Sequence, residues 1–133
     1  MYFSEWREIQ ENMNRQKFEI IYQKFLPFAV EFLRIKKLPK IKFIENSSYA
    51  KKVKTFGRTI DNNIEIYIKN RHPMDILRTV AHELVHYSQI QKGIIGSGET
   101  GSSTENEANK LAGVLMRKFG ETYSEYFKLP PVS

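Results

Sequence analysis

The sequence predicts an α+β fold in which N-terminal helices precede a small three-stranded sheet and two further helices follow it. Three observations carry this. Apolar residues recur at spacings of three and four over residues 18–33, strict alternation covers residues 64–69, and a second helical period runs from Pro73 to Gln91. A length of 133 residues, 41% apolar and 27% charged, suits one soluble domain over 1–133 with a single core.

A short helix is expected over residues 4–13 and a longer one over 15–37. In the longer one Phe18, Ile21, Tyr22, Phe25, Leu26, Ala29, Phe32 and Leu33 form an apolar stripe. Pro27 falls inside that run and should kink it or split it in two, since it lacks an N–H and crowds the preceding turn. Leu38-Pro39 closes the stretch. Three strands are expected next. In the first, Ile41 and Phe43 alternate with Lys40 and Lys42; the second runs from about Lys52 to Arg58. The third places Ile64, Ile66 and Ile68 on one face and Glu65, Tyr67 and Lys69 on the other. The turn residues Asp61-Asn62-Asn63 make the last two strands an antiparallel hairpin, and Gly57 marks a bulge or a close backbone approach.

Pro73 suits a first helical position and Asp75 places a negative charge in the first turn, so a helix is expected from Pro73 to about Gln91, stopped by Gly93. A glycine- and serine-rich loop covers 93–104, a last long helix runs from about Ser103 to Phe119, and a shorter one covers Thr122–Phe127.

Composition excludes some chemistry. The absence of cysteine rules out a disulfide framework, a thiolate zinc site and a cysteine nucleophile. No apolar run approaches the roughly 18 residues of a membrane span, and the first residues carry acids where a signal peptide needs an apolar core. A cytoplasmic protein with no membrane partner is the expectation. The net charge of +6 is concentrated: residues 34–58 hold nine basic residues and one acid, Glu45. Such a block can draw nucleic acid or an acidic partner. A solvated basic face explains it more simply and is the favoured reading.

The chemistry centres on His82-Glu83-Leu84-Val85-His86, an H-E-x-x-H sequence inside the expected Pro73–Gln91 helix. Two histidines four apart lie on one helix face about 40° out of register, so both imidazoles can reach one ion. Zinc takes neutral imidazole readily and makes water acidic enough to be deprotonated near pH 7; Glu83, beside the first histidine, is placed to act as the general base. On a helical projection Ile76, Leu77, Val80, Ala81, Leu84 and Val85 form one apolar arc, and His82 and His86 fall nearly opposite its centre. They are therefore not core residues.

A zinc site of this kind needs a third protein ligand. No histidine follows His86, and Gln89 and Lys92 replace the glycine and the last histidine of the longer three-histidine pattern. A carboxylate from the next helix remains. Glu105 and Glu107 are the candidates, about 200° apart on a helix, so they cannot share the task. Glu107 is favoured because it borders an apolar arc of Ala108, Leu111, Ala112, Val114, Leu115 and Phe119, while Ser102-x-x-Glu105 reads as a capping box. If Thr104-x-x-Glu107 is the box instead, Glu105 is freed for the metal.

These residues resemble the glutamate-zincin peptidases, above all the ImmA/IrrE-type group, which pair H-E-x-x-H with a later E-A-N-x-F/L-A helix. Here the second element reads Glu107-Ala108-Asn109-Lys110-Leu111-Ala112, and the resemblance spans residues 60–116. It implies a zincin-like domain holding one zinc ion on His82, His86 and Glu107, with Glu83 as base in peptide-bond hydrolysis. It also implies a peptide or protein substrate, with a repressor or other regulatory protein as a family-type partner. Thermolysin-like relatives carry an aspartate four residues after the ligand glutamate; Leu111 stands there, so the partner of the ligand histidine is unidentified.

Tyr87, His72, Tyr123, Tyr126 and Arg58 could each bind the oxyanion or substrate, with Tyr87 and Tyr123 carried forward as candidates, but a structural role is the favoured reading of each: Tyr87 packs, and His72 sits at the helix entry. The strand around Val53–Arg58 is expected to align the substrate, and the apolar tail Tyr126–Val132 is a candidate cleft occupant. The alternative function is a zinc-binding regulatory or interaction module without peptidase activity, working on protein or DNA.

Overall fold

A computed structural model of the chain describes residues 3–46, 55–94 and 102–124, with side chains from Arg15 onward. In order these form α1 (Phe3–Leu33), β1 (Lys40–Ile44), β2 (Gly57–Ile60), β3 (Asn63–Tyr67), α2 (Pro73–Gln91) and α3 (Ser103–Thr122). The fold is α+β, with one mixed three-stranded sheet among the described residues.

The two N-terminal helices expected from the sequence are one continuous helix, and Pro27 does not split it. The ring costs about 3 kcal/mol in a helix interior. Against that, Phe18, Ile21, Phe25 and Ala29 are all fully buried along one stripe, so tertiary packing overrides the local penalty. The helix stops at Leu33, four residues before the expected end. Arg34 turns to φ 55, its N–H donates to the Glu31 carbonyl at 3.2 Å, and the Ile35 N–H donates to the Val30 carbonyl at 3.0 Å. That is a Schellman cap, closed by the buried Ile35 side chain.

The sheet has the order β1-β3-β2. β3 runs parallel to β1 and antiparallel to β2. Ile64, Ile66 and Ile68 are fully buried on its helix-covered face, as their alternation requires. The β2–β3 hairpin turns at Asp61, which takes φ 55, in the segment where turn residues were expected. β1 anchors the sheet to α1 by edge-on contacts of Phe43 with Phe18 (5.2 Å) and Tyr22 (4.9 Å). The early part of the expected second strand, residues 52–54, lies outside the described residues, as do 125–127 of the short terminal helix and the whole of the tail, 126–132. Thr122 instead closes α3. The described members of the basic block, Arg34, Lys36, Lys37, Lys40, Lys42 and Arg58, are all exposed. Among the described residues no helix is long and apolar enough to cross a membrane.

β2 is an edge strand, and Gly57 brings it hard against α2. A Cβ there would stand 2.7 Å from Thr79 Cγ2, 3.2 Å from Glu83 Cγ and 3.2 Å from Ile66 Cδ1. Of the two roles expected for this glycine, close approach is the one observed. Gly57→Ala should therefore destabilise the chain by about 1–3 kcal/mol through overpacking. Thr79→Ser, which removes the nearest methyl, should recover part of that loss in the double variant; urea unfolding of the four proteins in the cycle measures it.

Candidate functional site

α2 holds the histidines in place because both of its ends are fixed. At its start the His72 ring nitrogen Nδ1 accepts the Met74 N–H at 3.0 Å, Pro73 follows, and Asp75 lies in the first turn. The Arg71 guanidinium ties the end of β3 to this turn, donating to the Tyr67 carbonyl (2.6 Å), the Asp75 carbonyl (3.1 Å) and Thr79 Oγ1 (2.6 Å). At its end Gly93 takes φ 74, and the Gly93 and Ile94 N–H groups donate to the Ile90 and Gln89 carbonyls at 3.0 and 2.9 Å. Between these caps Ile76, Leu77, Val80, Ala81, Leu84 and Val85 are buried to 1% or less, so the expected apolar arc faces the core. His82 and His86 point the other way, into a cleft of about 570 Å3 between β2, α2 and the start of α3.

The third residue in reach is Glu105. Its Oε1 lies 2.9 Å from His82 Nε2, its Oε2 lies 3.0 Å from His86 Nε2, and the two imidazole nitrogens are 3.1 Å apart. The expectation that Glu107 completes the set is corrected by this geometry: Glu107 is exposed and its carboxylate lies 3.4 Å from Gln89 Nε2. The reason is the phase of α3. Its buried residues are Ala108, Ala112, Leu115, Met116 and Phe119, and Glu105 stands three and seven positions before the first two, on the same stripe. Leu111 and Val114 are only half-buried, and Glu107 lies on their side of α3, away from the histidines and beside Val85 and Ser88. Capping did not exclude Glu105 either. Ser102 Oγ accepts the Glu105 backbone N–H at 3.2 Å, so the cap uses the main chain while the carboxylate serves the histidines.

The histidine partner that the sequence left unidentified is Gln89. Its Nε2 donates to the Thr104 carbonyl at 3.0 Å, and a carbonyl can only accept. That fixes Oε1 towards His86 Nδ1, 2.9 Å away, so Nδ1 must carry the proton and a neutral His86 presents its Nε2 lone pair to the cleft. The lone pair then faces a Glu105 oxygen 3.0 Å away. Two acceptors at that distance repel unless a proton or a metal ion lies between them. His82, His86 and Glu105 thus form a group that can hold a metal ion. Tetrahedral zinc with bonds near 2.0–2.1 Å separates its donors by about 3.3–3.4 Å. A small opening of the observed triangle accommodates that, so the residues fit.

Glu83 is buried beside the triangle, at 7% exposure. Burial raises its carboxyl pKa above the ordinary range; His82, the Thr59 hydrogen bond and His86 pull it down, and Glu105 pushes it up. The Thr59 hydroxyl donates to Glu83 Oε1 at 3.0 Å and also lies 3.2 Å from the Glu83 carbonyl oxygen. Neither Thr59 nor Gln89 was singled out from the sequence. Thr59 was legible in principle, because it shares a strand face with Gly57, two residues away.

The other expected residues lie elsewhere. Tyr87 is 2% exposed, donates to the Lys37 carbonyl at 2.7 Å and accepts from Gln91 Nε2 at 2.8 Å, so it is a structural strut. Tyr123 closes α3 and packs on Phe119 at 4.9 Å. His72 is a helix cap. Arg58 does line the cleft, while its guanidinium pairs with Glu65 on the neighbouring strand. Tyr126 lies outside the described residues.

Two outcomes follow for metal titration calorimetry of the purified chain. Glu105→Gln should abolish stoichiometric zinc binding, as should His86→Ala, whereas Glu107→Gln should retain it. Gln89→Leu, which removes the acceptor for His86 Nδ1, should weaken zinc binding about 10–100-fold without unfolding the chain. Comparison of the chain with protein families, with curated proteins and with solved structures found no match.

Proposed function

We propose that the chain is a zinc-dependent endopeptidase of the glutamate-zincin type, ImmA/IrrE-like in layout, with His82, His86 and Glu105 as ligands and Glu83 as general base. The observation that carries this reading is the meeting of two imidazole nitrogens and a carboxylate in an open cleft, beside a buried carboxyl that is not one of the three. Two histidines and one glutamate with an open side are the donor set of hydrolytic zinc sites. Zinc, when bound, polarises the peptide carbonyl and activates water.

The chain's own groups supply the rest. The Glu83 carboxylate takes the proton of the attacking water and returns it to the departing amine. Burial favours that first transfer by raising the basicity of the carboxylate, and Thr59 holds Oε1 in one orientation. Gly57 lets β2 run beside Glu83, which suits that strand to lie alongside an extended peptide in the cleft. A cytoplasmic setting and a protein substrate such as a repressor belong to the same proposal. So does the competing use of the zinc site in a binding module that acts through the exposed basic face.

Glu83→Gln separates the two. In the peptidase it should keep one zinc per chain while peptide hydrolysis falls about 10²–10⁴-fold. Unchanged cellular and hydrolytic activity in this variant contradicts the catalytic role. Metal content and turnover of a quenched fluorescent peptide mixture are the measurements.

A further inference from the structure

We propose that a small cavity between the end of α1, α2 and α3 is a second ligand site, which takes a monocarboxylate with a short aliphatic body. It lies on a face of α2 roughly 110° round from the histidines. The proposal is independent of the peptidase reading.

The first observation is Ser88. Its side chain is buried, at 6% exposure, and among the described residues its hydroxyl has no hydrogen-bond partner. Two other helical hydroxyls show what is open to such a group. Thr79 and Thr122 each donate to the carbonyl four residues back, at 3.0 and 3.3 Å. Ser88 makes no such bond. A buried hydroxyl left unpaired costs free energy, which a polar ligand atom recovers.

The second observation is what surrounds this hydroxyl. Ser88 lines a cavity of about 190 Å3, room for roughly six water-sized groups. Lys92 stands one turn beyond Ser88 and Val85 three residues before it, so the three share one face of α2 and all line the cavity. Arg34 joins them from the end of α1. Among the described residues neither the Arg34 nor the Lys92 side chain has an ion-pair or hydrogen-bond partner. Both follow helix C-termini, where a cation complements the dipole. That accounts for their charge but not for the unpaired hydroxyl or the space beside it.

A hydroxyl and two cations are the donors a carboxylate takes. The other walls select the rest of the ligand. Leu33 and Val85 are buried and Phe32 and Leu111 half-buried, so an aliphatic body against them loses apolar area to water. The exposed Glu107 carboxylate on the same lining repels a second negative charge. Such a head group belongs to a free short-chain acid or to the last residue of a peptide.

The test is an NMR titration of the full chain with isovalerate. Its shifts should saturate at one site per chain and centre on the Ser88, Lys92 and Arg34 amides. Isovaleramide and succinate should each bind about 10-fold or more weakly. Lys92→Gln and Arg34→Gln should each weaken isovalerate severalfold. Ser88→Ala gives a readout of opposite sign. Without ligand its urea midpoint should equal or exceed the parent's, yet isovalerate should no longer stabilise it. His86→Ala and Glu105→Gln, which disrupt the metal triangle, should leave isovalerate binding unchanged. A peptide ending in valine identifies the source: binding tighter than isovalerate and lost in its terminal amide assigns a protein terminus, and binding of the free acid alone assigns a small metabolite. Either supports the site. No saturable shifts with acid or peptide, equal binding of acid and amide, or lost binding in both triangle variants overturns it. So does a ligand-free Ser88→Ala less stable than the parent, since the hydroxyl is then already satisfied by water.

Discussion

Three side chains, His82, His86 and Glu105, are brought to within about 3 Å of one another, and their neighbours hold them there. Two come from one turn of α2, so their spacing is set by helix geometry alone. The third comes from α3 and depends on tertiary packing. Ala108 and Ala112, both buried, let α3 lie close to α2, and Ser102 starts the helix so that Glu105 is in its first turn. Each helix end at the site is closed by its own hydrogen bonds. The convergence is a property of the fold and does not rest on one flexible side chain.

Gln89 joins these parts. Its amide accepts from the His86 ring and donates to the Thr104 carbonyl, one residue before Glu105. One side chain therefore sets which imidazole nitrogen is free and also ties α2 to the turn that carries the carboxylate. At 4% exposure this amide is shielded from water, which would otherwise compete for both bonds. On the opposite wall Thr59 does for Glu83 what Gln89 does for His86, and Gly57 provides the space for it. Glu83 and the His82–His86–Glu105 triangle are thus held by separate contacts from separate elements.

Much of this was legible in the sequence, for local reasons. Pro73 and Gly93 bracket α2, the H-E-x-x-H pair falls opposite the apolar arc, and the isoleucines of β3 alternate cleanly. What was misread depends on how elements meet. Pro27 signals a break, yet the burial of Phe25 and Ala29 on either side of it keeps α1 whole. Glu105 and Glu107 are separable only once the roll of α3 is known, and counting Leu111 and Val114 as core turned the helix the wrong way. Treating a capping role as exclusive added to that error, since the cap engages the Glu105 main chain. Tyr87, for which packing was the favoured reading, points about 100° away from His86, and its buried side chain donates to the Lys37 carbonyl.

The claim on which the rest depends is that these three side chains ligate a metal ion through imidazole nitrogen and carboxylate oxygen. X-ray absorption at the zinc edge of the loaded chain reads that first shell directly. The expected result is a four-coordinate centre with bonds near 2.0–2.1 Å and the outer-shell scattering of two imidazoles. A six-coordinate, all-oxygen shell without imidazole scattering would contradict it, because such an ion would be held somewhere other than between α2 and α3.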